Sequence, residues 1–142
     1  MPIRSDRELT ELLRSVRTIA VLGIKAGERE DAFRVPRYMQ QRGYAIRPVS
    51  PKLDEVLGER AVASVGELAE PPDLINVFRA PHHIAGHVDE ILAMKRRPRA
   101  VWLQLGIRHP ATARLEAAGI AVVEDLCLMV EHARLLGGTP EP

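Results

Sequence analysis

The sequence predicts an α/β fold: a three-layer, doubly wound domain built on a mainly parallel five-stranded sheet. Short apolar runs such as 74–78 alternate with stretches whose apolar residues recur at helical spacing. That alternation is typical of right-handed crossovers between parallel strands. The chain has 142 residues, 46% hydrophobic and 27% charged, which suits one sizeable core. We therefore expect a single domain over residues 1–142.

The first helix and the first strand have the clearest signals. Ser5 and Glu8 have capping-box spacing, and the apolar residues that follow lie on one helical stripe, which predicts a lead-in helix over about 6–17. Residues 18–23 read Thr-Ile-Ala-Val-Leu-Gly. This run predicts a strand that is buried on both faces and ends at Gly23.

The rest of the chain repeats this alternation. The apolar patterns predict further strands and helices, namely strands at 44–49, 74–78, 100–105 and 121–123 and helices before Gly43, around 84–92, around 115–118 and up to about 136. Residues 54–70 fit a short edge strand at 60–63 and a brief helix after the capping-box pair Ser64 and Glu67. The tail 137–142 is expected to fray.

We expect a Rossmann-like strand order of 3-2-1-4-5. In such sheets the ligand binds outside the carboxyl ends of the strands, at the point where the order reverses. This order puts that switch point between the first and fourth strands. The loops after Gly23, Val49, Phe78 and Leu105 would then open on one rim, which is the candidate binding site.

The rim lacks two features of a NAD site. The first turn, Gly23-Ile24-Lys25-Ala26-Gly27, does not supply the Gly-x-Gly-x-x-Gly fingerprint, and the second strand ends in Ser50-Pro51-Lys52 rather than in an acidic residue. A hydroxyl and an ammonium group at that position suit a ribose that carries a phosphate. Both NADP and coenzyme A carry one, so the residues alone leave both ligands open.

Five blocks resemble the stand-alone bacterial CoA-binding proteins. They are Thr-Ile-Ala-Val-Leu-Gly at 18–23, Arg-Pro-Val-Ser-Pro-Lys at 47–52, Asp-Leu-Ile-Asn-Val-Phe-Arg-Ala-Pro at 73–81, Val-Trp-Leu-Gln-Leu-Gly-Ile at 101–107 and Val-Val-Glu-Asp-Leu-Cys-Leu at 122–128. The resemblance covers about 17–135. Those proteins are similar to the CoA-binding domain of the succinyl-CoA synthetase α subunit. The synthetase's second domain, with its phosphorylated histidine, has no counterpart here, so ligase chemistry is not expected.

The resemblance implies a site for coenzyme A or an acyl-CoA. The residues it implies along the pyrophosphate are Gly23, Ile24 and Lys25, and those near the ribose phosphate are Ser50, Pro51 and Lys52. The residues beside the adenine or pantetheine would be Phe78, Arg79 and Pro81, while the remaining wall would contain Gln104 and Gly106. The family usually has a small or hydroxyl residue after the first glycine. Here Ile24 and Lys25 follow it, which removes a hydroxyl and adds a cation.

Simpler interpretations of single residues remain open. Most lysines are solvated, so Lys25 and Lys52 need not contact a ligand, and Arg79 suits a structural ion pair as well as a ligand. His83 and His87 are one helical turn apart, but the glutamate of a zinc motif and a third ligand are missing. We therefore expect no metal site.

The sequence gives little reason to expect catalysis, nucleic-acid binding or membrane contact. Cys127 is the one cysteine, and a lone cysteine is more often inert than nucleophilic. The net charge of +1 gives no reason to expect nucleic acid, and the basic run 95–99 closes a helix that points away from the rim. The polar start and the lack of a long apolar run predict a cytoplasmic protein without membrane contact.

We expect a non-catalytic CoA-binding carrier, sensor or partner module. A protein partner that it would serve is not identified by the sequence. Two alternatives remain: an NADP-dependent oxidoreductase or redox sensor, which the missing glycines disfavour, and a pure interaction domain with an empty rim.

Overall fold

The computed structural model describes residues 1–137, so most of the tail predicted to fray lies outside the described residues. The elements it contains are the helices α1 (Asp6–Ser15), α2 (Asp31–Gln41), α3 (Pro81–Leu92), α4 (Thr112–Ala117) and α5 (Leu128–Leu135), and the strands β1 (Thr18–Leu22), β2 (Ala45–Val49), β3 (Glu55–Val56), β4 (Glu59–Arg60), β5 (Leu74–Val77), β6 (Ala100–Leu103) and β7 (Ala121–Val123). No helix in this part of the chain is both long and apolar enough to cross a membrane.

The sheet confirms the predicted fold class. Five parallel strands pair in the order β2-β1-β5-β6-β7, while β3 and β4 form a separate antiparallel hairpin. One face of the sheet packs against α1, α2 and α5, and the other packs against α3 and α4. The alternation of side chains along each strand supplies both apolar layers, since successive residues point to opposite faces. The domain is therefore a doubly wound, three-layer structure.

The strand order follows the predicted doubly wound form with one difference. The strand predicted third, β5, lies beside β1, whereas the order 3-2-1-4-5 puts it outside β2. The outer edge of β2 is instead covered by the segment predicted as an edge strand, in which Val62 forms an isolated parallel bridge with Val49. Because the segment around Val62 occupies the outer edge of β2, the chain passes over the sheet and β5 pairs with β1 on the side away from β2. The switch point therefore lies between β1 and β5.

The element boundaries follow local capping. Ser5 Oγ accepts a hydrogen bond from Glu8 N at 3.2 Å, as the capping-box spacing predicts, and α1 ends at Ser15 because Val16 is already extended. The predicted brief helix is a 3₁₀ turn at Val65–Glu67. Its capping residue Ser64 bonds the Glu67 side chain rather than a backbone amide.

The opposite edge of the sheet is also covered. Ile3 N donates a hydrogen bond of 2.8 Å to Val122 O on β7, so the segment before α1 lies along this strand. At the β2 edge, Ser50 N bonds Val62 O at 2.8 Å and Val62 N bonds Pro48 O at 3.2 Å. Each outer strand therefore has backbone hydrogen bonds to a flanking segment of the chain.

Candidate functional site

The turn after β1 lies at the switch point and depends on Gly23. This glycine has a φ of +84°, and a Cβ built on it would collide with the Phe78 carbonyl and approach Arg79 Cδ to 2.9 Å. Phe78 N also bonds Leu22 O at 2.8 Å. The backbones of β1 and of the β5 exit therefore touch directly at this turn, which only glycine permits.

A proline in α2 anchors the next part of the turn. Pro36 has no N–H, so the carbonyl of Ala32, four residues earlier, lacks its usual helical partner. That carbonyl accepts a hydrogen bond of 3.2 Å from Lys25 N instead. The proline thus ties the Lys25 backbone to α2 while the Lys25 side chain remains exposed.

A serine turn shapes the loop after β2. The Ser50 hydroxyl oxygen accepts a hydrogen bond of 3.1 Å from Lys52 N, and the Ser50 residue is 7% exposed. Side-chain-to-backbone bonds of this kind are typical of tight turns. The turn leaves Pro51 and Lys52 on the surface, so the Lys52 ammonium lies at the rim.

These loops enclose a first cavity of about 580 Å³, a size typical of ligand sites. Eight residues of the predicted site line it, namely Gly23, Ile24, Lys25, Ser50, Pro51, Lys52, Phe78 and Arg79. Ile24 is only 2% exposed and packs in the core. Its side chain therefore serves the core, and only its backbone is suited to contact a ligand.

A second cavity of about 350 Å³ adjoins the first and shares three residues with it, Phe78, Arg79 and Ala80. Gln104 and Cys127 line this second cavity. Gln104 Oε1 accepts hydrogen bonds from Asn76 Nδ2 at 3.2 Å and Leu128 N at 3.1 Å, which fixes the side chain against the start of α5. A long ligand would span both cavities past Arg79.

Two residues of the predicted set line neither cavity. Pro81 is the exposed first residue of α3, a position where its missing N–H costs no helical bond. Gly106 N donates a hydrogen bond of 2.7 Å to Asp125 Oδ1. The Gly106 amide is therefore occupied within the protein, and its site role is not supported by this geometry.

Asp125 connects the loops after β6 and β7. It adopts a φ of +58°, a conformation that aspartate tolerates better than most residues. Its carboxylate accepts bonds from Gly106 N and from Arg108, with Arg108 Nη2 at 3.0 Å. These two donors, the Gly106 amide first, lower the pKa of Asp125.

Three cations surround the first cavity without carboxylate partners. Lys25, Lys52 and Arg79 all line it, and none of them forms an ion pair with any carboxylate within residues 1–137. The start of α2 carries Glu30 and Asp31 instead, which opposes an anion at that helix end. The described cavity lining carries these three cations against one carboxylate, that of Glu90, which contacts His87, so its potential is net positive.

Histidines of α3 complete the cavity wall. Partial desolvation, then the Arg79 charge and the neighbouring His82 and His87, lower the pKa of His83. His87 hydrogen-bonds both Arg79 and Glu90. Both His87 and Glu90 line the cavity. The sequence interpretation weighed His87 only as a metal ligand with His83. It missed Glu90 as a site residue, because no motif links it to an arginine eleven positions earlier.

Another cavity, of about 540 Å³, lies between the 3₁₀ turn and the end of α3. Lys95 and Arg96 contribute to it together with Glu70 and Glu90. It contains none of the predicted site residues, and its two cations are matched by two carboxylates. It therefore offers no concentrated potential comparable to that of the first cavity.

Residues 17–133 match the family model of the CoA binding domain. The chain belongs to the CoA-binding domain family. This agrees with the resemblance that five blocks of the sequence suggest. The match covers every strand of the parallel sheet and the loops that form both cavities.

Two relatives with solved structures and one matched by sequence align with nearly the whole chain. YneT from Bacillus subtilis (strain 168) is 36% identical over 130 residues, which cover 91% of this chain and 95% of YneT. The Thermus thermophilus protein ID.343 has 47% identity and a TM-score of 0.88, with 94% of this chain and 100% of that chain covered. A Pyrococcus horikoshii OT3 protein has 30% identity and a TM-score of 0.89 over 96% and 97% of the two chains.

Proposed function

We propose that this protein binds coenzyme A or an acyl-CoA at the carboxyl edge of the sheet and does so without catalysing a reaction. The observation that carries the proposal is the set of three cations, Lys25, Lys52 and Arg79, around one cavity at the switch point, none paired with a described carboxylate. Coenzyme A has a pyrophosphate and a ribose 3′-phosphate. Separate cations suit these separate phosphates.

The proposed ligand would run along the rim. Its pyrophosphate would lie over the turn at Gly23 and Lys25, which line the first cavity and place the Lys25 ammonium beside it. Its ribose 3′-phosphate would contact Lys52 in the turn that Ser50 holds. The adenine or the pantetheine would pack on Phe78, and the far end of the ligand would enter the second cavity beside Gln104.

A binding role without turnover is supported by the surroundings of Cys127. A nucleophilic cysteine needs a neighbouring base or a strongly cationic environment. Among the described residues no side chain hydrogen-bonds the Cys127 sulfur, and His83 and His87 line the first cavity, whereas Cys127 lines the second. The protein would therefore act as a carrier, a sensor or a partner module.

The identity of the ligand is tested directly on the purified protein. Denaturation should release a small molecule with the mass and ultraviolet spectrum of coenzyme A or an acyl-CoA. Added CoA should also raise the melting temperature of stripped protein, since a ligand at about a hundred times its Kd stabilises by about 2.7 kcal/mol. Stabilisation by NADP but not by CoA would support the oxidoreductase alternative instead.

The absence of catalysis has its own test. Acetyl-CoA incubated with the protein should release no free thiol above the rate without protein. Cys127→Ala should leave CoA affinity unchanged. Sustained thiol release that Cys127→Ala or His82→Ala abolishes would overturn the non-catalytic proposal.

A further inference from the structure

Arg79 is held in place by a histidine of α3. Arg79 Nε donates to His87 Nε2 at 3.2 Å, and His87 Nδ1 lies 2.8 Å from Glu90 Oε1. A guanidinium nitrogen can only donate, so His87 Nε2 must accept and the ring proton must lie on Nδ1. His87 is therefore a neutral imidazole that donates to Glu90 and accepts from Arg79.

The other end of Arg79 has no protein partner among residues 1–137. Neither Nη1 nor Nη2 of Arg79 forms a hydrogen bond there, and no described carboxylate lies within ion-pair distance. The Arg79 stem crosses the Gly23 turn, and the residue lines both cavities. With Nε occupied by His87, the two terminal nitrogens remain for an anion, and together they can donate two parallel N–H bonds to a phosphate.

His87 and Glu90 hold the Arg79 guanidinium in place without a carboxylate bound directly to it. His87 is 17% exposed and lies under the cavity, while Glu90 is 43% exposed. Because the neutral ring separates Glu90 from Arg79, the carboxylate orients the chain of hydrogen bonds without neutralising the guanidinium through a direct contact. A direct carboxylate partner would have competed with a phosphate for the same nitrogens.

We propose that His87 and Glu90 are positioning residues that hold Arg79 as a phosphate ligand at the junction of the two cavities. This inference rests on the proposed CoA site, and it gives Arg79 a role distinct from the contact with adenine or pantetheine that the resemblance implies. Holding the side chain in advance reduces the conformational entropy lost on binding, which for a free arginine is considerable.

Matched variants separate positioning from packing. His87→Gln keeps an oxygen that can accept from Arg79 and an amide that can donate to Glu90, whereas His87→Phe keeps a flat ring without either. Arg79→Met retains the stem over Gly23 and removes the guanidinium. CoA affinity, measured by titration calorimetry, should fall about tenfold for His87→Phe and for Arg79→Met but less than about threefold for His87→Gln.

A double-mutant cycle tests whether His87 acts through Arg79. In the Arg79→Met background, His87→Phe should change CoA affinity by less than about twofold, because the group it positions is already absent. An equal loss in both backgrounds would overturn the inference, as would wild-type affinity in His87→Phe or Arg79→Met. Near-ultraviolet circular dichroism and melting temperatures verify that each variant folds.

A second probe distinguishes failure of this inference from failure of the proposed function. Inorganic pyrophosphate should raise the melting temperature of the wild type and of His87→Gln but not of His87→Phe or Arg79→Met. If the wild type binds pyrophosphate in this pattern and does not bind CoA, the CoA proposal fails and the positioning of Arg79 stands. If CoA binds while pyrophosphate has no effect, or the same effect on all four proteins, the inference is overturned.

Discussion

The stem of Arg79 crosses the backbone of Gly23, with Arg79 Cδ 2.9 Å from the position that a Cβ on Gly23 would occupy. The Phe78 carbonyl lies against the same position. The absence of one side chain at the end of β1 thus allows the exit of β5 to close over the turn. The relationship joins β1 and β5, the two neighbouring strands between which the switch point lies.

Replacing Gly23 by alanine should destabilise the protein and disrupt the site. A left-handed backbone costs an L-residue roughly 1–2 kcal/mol, and overpacking adds about 1–3 kcal/mol. Gly119→Ala is the matched control, because Gly119 has a φ of +86° with nothing within 4 Å of its Cβ position. Urea unfolding should show a greater loss of unfolding free energy for Gly23→Ala than for Gly119→Ala. Equal losses would mean that Phe78 and Arg79 move aside at little cost in free energy.

Pro36→Ala should loosen the Lys25 turn. An alanine at this position supplies an N–H that can bond the Ala32 carbonyl, which now accepts from Lys25 N. We expect faster amide hydrogen exchange at Lys25, slow exchange at the amide that the substitution introduces, and weaker CoA binding in a protein that remains folded. Unchanged exchange at Lys25 would show that this turn holds without the proline.

Lys52→Glu should weaken CoA binding by more than about tenfold, which corresponds to about 1.4 kcal/mol. Dephospho-CoA lacks the 3′-phosphate, so it should bind the wild type less tightly than CoA does. The variant should discriminate much less between the two ligands, because the same contact is lost in either way. Titration calorimetry of both proteins with both ligands measures the coupling.

A charge reversal at Lys95 is the control for Lys52. Lys95 is exposed and follows α3, away from the first cavity, so Lys95→Glu changes the net charge equally without altering the site. Its effect should be small and should diminish at high salt. A coupling energy near zero between Lys52 and the 3′-phosphate would remove Lys52 from the site.

The Asp125 bridge should contribute stability that depends on pH. The pKa of Asp125 in the folded protein lies below the ordinary 3.8, so the contribution is complete above about that pH and is lost as the pH falls through the folded value. Asp125→Asn keeps an acceptor for Gly106 and tolerance of the positive φ, but it loses the charge facing Arg108. Urea unfolding should find the wild type more stable at neutral pH and the difference smaller below pH 3.8; a constant difference would contradict this cause.

Local sequence patterns predict most of the fold, because buried strands and helix faces require apolar residues at regular spacing. Strands covered on both faces are mainly apolar, which is why β5 and β6 stand out although β5 includes the buried Asn76. Ser5 caps α1 through residues only three apart. No local pattern specifies that β5 pairs with β1 rather than with β2. That pairing depends on the segment at Val62, which fills the edge of β2 and leaves the position beside β1 open.

The candidate site was predictable to a similar degree. Residues at strand ends, such as Lys25, Lys52 and Arg79, follow from the topology alone and do line one cavity. The hydrogen bond from Arg79 to His87 and the one from Gly106 to Asp125 join residues on different loops or elements. Such pairings depend on how the layers pack, and no spacing along the chain specifies them.

Covered edges of the sheet bear on how the protein behaves at high concentration. An open strand edge is a template on which a second chain can extend the sheet, and proteins that remain monomeric must prevent this. Here Ile3 bonds β7 and Val62 bonds β2, and the Pro48 nitrogen, which has no hydrogen to donate, faces the same outer side as Ser50 N. A variant without residues 1–5 would expose the β7 edge, and we expect it to aggregate through strand-to-strand association while the β2 edge remains protected.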